Sequence, residues 1–386
     1  MILNRNLGVA LIATVVSFST LYIPQPMLPL LAQTFDISAG KAGLLMTVAM
    51  LPLAFAPVVY GYFLQAIPAK LMLMVALSLL AIDQLCFYFV TEFWQLIGLR
   101  LIQGLLLPAI FTSLMTYCAT MVPTGQVRRI MGLYIGATIT GGFLGRLAGG
   151  VFASSFDWRT AFVVMALAQL IPLVLLTRVE SDANINFARL DSKSISRVFA
   201  NRNYRFMLLA LATVFFVYSG ILNTIPFHLQ DIDPGTTPFL ISMLYLGYLV
   251  GVPVSFFSDS ISMKFNDDRK GLLMGLAIHA FGLVMLLFVA FQGLLILMFF
   301  LAAGFFLIHA TMSGLVNHLA SEHKAVVNGI YVSIYYFSGA MGSWLPGYVF
   351  DRYGWNSMIL VFALMLVSAG WFILQLRLDN DSRYRV

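Results

Sequence analysis

Apolar and polar positions along the chain alternate on a long scale. Apolar runs of roughly 20 residues or more, long enough to cross a bilayer as a helix, are separated by short polar breaks. They predict twelve helices, near 8–33, 40–64, 70–90, 94–119, 129–153, 158–177, 204–229, 238–258, 271–291, 293–319, 325–349 and 356–376. Several exceed the minimum, which predicts tilt or extension past the bilayer. One break is longer than the rest: Arg178 to Arg205 separates six runs from six and predicts a partly amphipathic linker on the membrane surface. The chain then divides into a six-helix half at 1–177, a linker at 178–203 and a second half at 204–386, an all-α membrane protein. The first run follows a short charged lead and has no early small-residue cleavage site, so it reads as a retained helix and not a removed signal peptide.

The two halves repeat. Pro26, Lys70 and Gly104 recur 200 positions later as Pro226, Lys270 and Gly304. Gly132, Tyr134, Gly142, Gly145, Gly150 and Trp158 recur 197 positions later as Gly329, Tyr331, Gly339, Gly342, Gly347 and Trp355. Parallel repeats of this kind build transporters whose halves rock about a site at mid-membrane.

Composition narrows the class further. At 60% hydrophobic and 10% charged residues, with a mean hydropathy of +0.91, the chain excludes a water-soluble domain. Cys86 and Cys118 both lie inside apolar runs, which suggests neither a disulfide framework nor a zinc site. The net charge of +6 forms no basic stripe, so nucleic acid is not a predicted partner. Of the 22 basic residues, 17 fall in one alternating set of loops and only Lys41, Arg159 and Arg352 in the other; Arg100 and Arg146 lie inside helices. The bias predicts that both termini are cytoplasmic. There is no phosphate-binding glycine loop and no H-E-x-x-H, so neither an enzyme, a cofactor nor a metal is predicted.

Candidate chemistry is sparse and therefore informative. In GLYIGATITGGFLGRLAGG, from Gly132 to Gly150, Gly141, Gly142, Gly145 and Gly149 fall on one helical arc, open to close approach by another backbone. Arg146 sits beside that arc, where an ionised group needs a partner or a watery cavity, and it is read as facing the central cavity, to attract an anionic substrate group or to hold the gate. Asp83 and Arg100 sit at matched depths of about 12 Å in consecutive antiparallel runs, at 1.5 Å per residue. They either pair, which offers a switch and makes Asp83 the favoured carrier of a coupling proton, or Asp83 is protonated or hydrated near the interface. His309 is either a proton carrier or a hydrogen-bonded packing residue. Gln25, Gln103, Tyr117, Asn223 and Asn317 are polar positions on runs that would line a path, and Tyr245, Tyr248, Tyr331, Tyr335 and Tyr336 are candidate cavity walls.

Arg100, Gln103 and Gly104 make an R-x-x-Q-G pattern, and Asp157-Trp158-Arg159 opens the sixth run. With the twelve runs and the basic central loop, these resemble the major facilitator superfamily. YIPQPMLPLL at Tyr22–Leu31 and GGFLGRLAGG at Gly141–Gly150 resemble its drug and arabinose efflux branch. The resemblance implies a monomeric, proton-coupled antiporter of a bacterial inner membrane that exports a small organic molecule, such as a drug, sugar or siderophore. An importer or uniporter is the alternative, and a non-transporting membrane sensor a more distant one. It also implies that the glycine face meets the eighth helix and that the tenth, with His309, borders the cavity. Between the second and third runs the family carries an aspartate where this chain has Gln65, followed by Ala66.

Overall fold

A computed structural model describes residues 5–63, 68–120, 127–179, 192–265, 267–319 and 324–378. Gln65, Ala66 and residues 180–191 of the predicted linker lie outside the described residues.

The first apolar run is a broken helix. α1, Arg5–Tyr22, stops at a 3₁₀ turn, Gln25–Met27, and restarts as α2, Leu28–Thr34. Pro24, Pro26 and Pro29 account for the break, because proline lacks the N–H that an α-helix needs and clashes with the preceding turn. The turn is buried, which places the Gln25 side chain inside the bundle. The rest of the first half follows as α3, Ala39–Phe63; α4, Ala69–Cys86; α5, Phe93–Thr120; α6, Val127–Ser155; and α7, Trp158–Thr177. The linker ends in α8, Ser192–Ala200, a short amphipathic helix that buries Val198 and exposes Arg197.

The second half opens with α9, Arg202–Ile232. The eighth apolar run is broken too: α10, Pro238–Leu244, passes into a 3₁₀ stretch, Tyr245–Val250, before α11, Gly251–Phe265. Then come α12, Asp268–Met285; α13, Phe291–Leu319; and α14, Lys324–Leu374. Gly354 interrupts α14 at φ 76°, ψ 175°, a left-handed conformation that suits glycine, so the last two predicted runs are joined through a kink. Among the described residues ten helices are long and apolar enough to cross a membrane, with Val326–Leu374 counted once and α12 not among them.

α1 packs on α6 and α9 on α14, and the glycines show how closely. A Cβ at Gly141, Gly145 or Gly149 would collide with the backbone at Val15, Ser19 or Ile23 of α1. The Ser19 hydroxyl donates across this seam to the Gly141 carbonyl at 2.9 Å. The same seam recurs in the second half, where Gly342 abuts the Phe216 backbone and the Ser219 hydroxyl donates to the Gly339 carbonyl at 2.9 Å. The expectation that this glycine face meets the eighth helix is therefore corrected for three of its four members. Only Gly142, which faces the Tyr248 ring, turns toward that helix. Its stripe continues through Arg146 to Gly150, which abuts Pro238 and Ser242 of α10.

One end of the bundle is sealed between the halves. Asp351 accepts from the backbone N–H groups of Ala39 and Gly40 at 3.1 and 2.9 Å, capping the N-terminus of α3. At the equivalent position 197 residues earlier, Ser154 accepts from the N–H of Phe239 at 2.8 Å, at the start of α10. Gln33 and Gln230 join by a hydrogen bond of 3.1 Å at this same end, and Gly347 lies against Gly40. Hydrogen bonds between the halves occur at this end and in the centre. The sealed end is the one poor in lysine and arginine.

Two outcomes follow from these seams. Gly145→Leu should lower the unfolding temperature of the detergent-purified protein, because overpacking against the Ser19 backbone costs about 1–3 kcal/mol or more. Gly150→Leu should spare the fold and part the sealed end; equal unfolding temperatures for the two variants would contradict this division. Asp351→Ala should remove two charge-assisted bonds and shift the equilibrium toward a parted end by about 1 kcal/mol, roughly fivefold, allowing for solvent exposure. The check is the distance distribution between spin labels on cysteines replacing the exposed Phe156 and Tyr353, in a background lacking Cys86 and Cys118. An unchanged distribution would show that the cap does not hold the end shut.

Candidate functional site

The central site is built from two helix breaks, one stripe of α6, and the facing helices α9 and α14. Arg146 is fully buried. Its Nε donates to Gln25 Oε1 at 2.6 Å and one Nη donates to the Gly142 carbonyl at 2.9 Å. Three tyrosine rings surround the guanidinium, with centroids at 4.1 Å for Tyr22, 4.9 Å for Tyr245 and 4.6 Å for Tyr248. Each can answer the positive charge with its π face.

The local folds explain why these groups converge. The proline break in the first run brings Gln25 to the centre, where a continuous helix would carry it onward. In the 3₁₀ stretch residues three apart eclipse one another, so Tyr245 and Tyr248 present to the same side. Tyr245 is further fixed by donating its hydroxyl proton to the Leu222 carbonyl at 2.8 Å. That carbonyl would ordinarily accept from residue 226 of α9, but Pro226 has no N–H. Gly142, lacking a side chain, leaves room beside the guanidinium.

From Arg146 a hydrogen-bond chain crosses to the second half. Gln25 Nε2 donates to Asn223 Oδ1 at 3.0 Å, and Asn223 Nδ2 donates to the Ser343 hydroxyl at 3.0 Å and the Ser219 carbonyl at 2.7 Å. The Ser219 and Ser343 hydroxyls lie 2.8 Å apart. Met46, Met50, Phe215, Phe305 and Tyr335 complete the wall. The cavity measures about 10 Å³, room for roughly one water. Among the described residues no carboxylate forms an ion pair with Arg146; Arg159 pairs with Asp157 and Arg269 with Asp267.

The sequence candidates sort into three groups. Gln25, Asn223 and Arg146 are brought together, with Tyr245, Tyr248 and Tyr335 around them. His309 lies one layer away: its Nδ1 meets the Tyr331 hydroxyl at 2.9 Å, and its ring centroid is 4.8 Å from that of Tyr335. The rest sit elsewhere. Asn317 is exposed near the end of α13, donating to the Ser313 carbonyl and accepting from Asn328. Ser219 and Ser343 were missed, although Ser343 stands 197 positions after Arg146 and could have been read as its partner in the repeat. Tyr22 and Tyr218, which line the cavity, had no distinguishing signal.

Asp83 and Arg100 share no hydrogen bond, although their depths are comparable: Asp83 lies six residues before the end of the Ala69–Phe89 span and Arg100 seven residues into α5. Neither Asp83 oxygen has a hydrogen-bond partner. Arg100 instead donates from Nε to the Leu45 carbonyl at 2.8 Å, from Nη2 to the Leu21 carbonyl at 2.8 Å, and from Nη1 to the Thr20 carbonyl at 3.3 Å. It also bonds Gln103 Oε1. Thr20 would ordinarily accept from residue 24, and Pro24 cannot donate. Arg100 thus staples α1, α3 and α5 at the proline break, and Gly104 lets α5 touch the Ala49 backbone of α3.

Comparison with known proteins agrees with this fold. The family model described as Major Facilitator Superfamily matches residues 10–343, with a second match over 231–383. The inner membrane transport protein YnfM of Escherichia coli (strain K12) is 27% identical over 373 residues, covering 92% of this chain and 87% of that protein. The multidrug resistance protein MdtG of Rahnella sp. (strain Y9602) is 23% identical over 220 residues, covering 55% of this chain and 53% of that protein. A crystal structure of the nucleoside transporter NupG superposes with a TM-score of 0.80 at 12% identity, covering 97% of this chain and 100% of that one. A bacterial homolog of the human lysosomal transporter Spinster, inward-facing and unoccupied, superposes with a TM-score of 0.79 at 13% identity, covering 96% of each chain. Identities this low speak for the fold alone. The family match over most of the chain is decisive: this multi-pass inner-membrane transporter belongs to the Major Facilitator Superfamily.

Proposed function

We propose that this chain exports a small organic molecule from a bacterial cell in exchange for protons, by exposing the Arg146 centre to each side in turn. The observation that carries the reading is the Arg146–Gln25–Asn223–Ser343 chain, which joins the two halves at their centre. A substrate that enters between the halves meets this chain first. In this reading the chain crosses the membrane twelve times, with α12 a crossing in its own right and α14 divided at Gly354 into two. The units are the two six-helix halves and the linker between them. Both termini are cytoplasmic by the distribution of basic residues, so the sealed end faces outward. The likeness to a multidrug resistance protein favours export over import.

Proton coupling needs a group whose proton affinity differs between the two states, because a ligand with equal affinity for both shifts nothing. His309 is the titratable group best placed for this. It touches Tyr335, which lines the cavity, so movement of the second half changes its surroundings. Asp83 lies on α4, away from the seam between the halves, and serves less directly.

The test is flux in proteoliposomes against a panel of drugs, sugars and organic acids, with and without an imposed proton gradient. Wild type should accumulate its substrate at least several-fold against the gradient-free control. His309→Gln should lose gradient-driven accumulation and keep substrate exchange. Flux that ignores the proton gradient and follows sodium or substrate concentration alone would replace this reading by an importer or uniporter.

A further inference from the structure

The central cavity carries one positive charge and no negative one among the described residues, and that imbalance has chemical content. An ionised side chain deep in a membrane bundle costs at least about 3 kcal/mol unless it is paired or hydrated. Arg146 is fully buried, yet its surroundings are a carboxamide, a backbone carbonyl and three tyrosine faces, all of them neutral. Such an environment tolerates a guanidinium without neutralising it.

The neighbouring polar groups are already matched to one another. Gln25, Asn223, Ser219 and Ser343 form a closed chain of donors and acceptors. A sugar would have to displace those bonds, and a cationic drug would face an uncompensated guanidinium. An organic anion gains instead, since a carboxylate presents two acceptor oxygens to a guanidinium fork and supplies the missing charge. Opposite Arg146 the cavity is lined by Met46, Met50, Phe215 and Phe305, a surface for an apolar or aromatic body.

Repetition sharpens the point. The position equivalent to Arg146 in the second half is Ser343, and the close-packed glycines on either side, Gly142 and Gly150, have equivalents in Gly339 and Gly347. The backbone seam does not require an arginine there, because the second half makes the same seam with a serine. The charge is an addition to the scaffold.

We infer that the Arg146 centre binds the carboxylate of an amphiphilic organic acid, whose apolar body lies against the methionines and phenylalanines across the cavity. This names the substrate class for the transporter reading above and rests on it. At about 10 Å³ the cavity is collapsed, so the acid enters as the halves part and the tyrosine rings withdraw from the guanidinium. The acid then replaces three weak π contacts with one charged pair.

The experiment measures binding by the purified full chain in detergent, with no gradient, using 2-naphthoate, its uncharged amide and 2-naphthylmethylamine as probes. Thermal stabilisation and tryptophan fluorescence give the affinities. Wild type should bind the acid at least about tenfold more tightly than the amide, and bind the amine no better than the amide. Arg146→Gln should erase the preference for acid over amide. Should that variant fail to fold, the exchange Arg146→Ser with Ser343→Arg, which moves the charge across the cavity, should restore the preference. Equal binding of acid and amide by wild type, no saturable binding of the acid, or an acid preference that survives in Arg146→Gln would each overturn the inference. Because no gradient is applied, such a failure leaves the antiport reading standing, and a flux that ignores protons leaves the binding result standing.

Discussion

A guanidinium held at the centre of an apolar bundle without a carboxylate is the constraint on which the rest of the site depends. Neutral acceptors and aromatic faces keep such a charge in place only if they are delivered from several directions at once. The chain does this with irregular backbone: the proline break supplies Gln25 and Tyr22, and the 3₁₀ stretch supplies Tyr245 and Tyr248 on one face. Non-helical backbone is tolerated at membrane depth where it is buried in protein or lines a cavity. Here it does both, since the carbonyl left free by Pro226 is taken up by Tyr245.

Around that centre the scaffold is nearly symmetric and the chemistry is not. Ser19 and Ser219 make the same hydroxyl-to-glycine bond across equivalent helix seams. Ser154 and Asp351 cap equivalent helix starts across the halves, but one is neutral and the other charged. Arg146 and Ser343 differ in the same way. Equivalent backbones with unequal side chains give the two halves the same seam and different chemistry at the centre.

Much of the fold was legible because membrane crossing imposes a length and a composition on each segment, and duplication repeats the signal. Arg146, Gln25 and Asn223 were legible individually, as polar groups too costly to be idle in apolar runs. What the pattern lacked was the choice of long-range partner. A glycine arc announces a close approach without saying which helix approaches, so Gly145 was assigned to the eighth helix when its neighbour is α1. Matched depth did not pair Asp83 with Arg100, because backbone carbonyls of α1 and α3 take up the guanidinium instead. Gly354 shows the converse: the chain kinks without a polar break, and the interruption appears only in the backbone angles.

The two buried arginines show how structural and functional charges can be told apart. Both Arg100 and Arg146 are fully buried, so burial alone does not distinguish them. Arg100 uses its fork on carbonyls of α1 and α3, one of them orphaned by a proline, and on Gln103 within its own helix. Its hydrogen bonds repair a defect in the backbone, and it is not part of the lining of the central cavity. Arg146 bonds a side chain that also bonds the opposite half, and its remaining contacts are ring faces that a ligand can displace. A charge whose donors end mostly on fixed backbone holds the fold together. One whose partners are side chains at the seam between the two halves can exchange them for a substrate, and that difference in partners, rather than depth or burial, is the ground on which we propose Arg146 as the transport site.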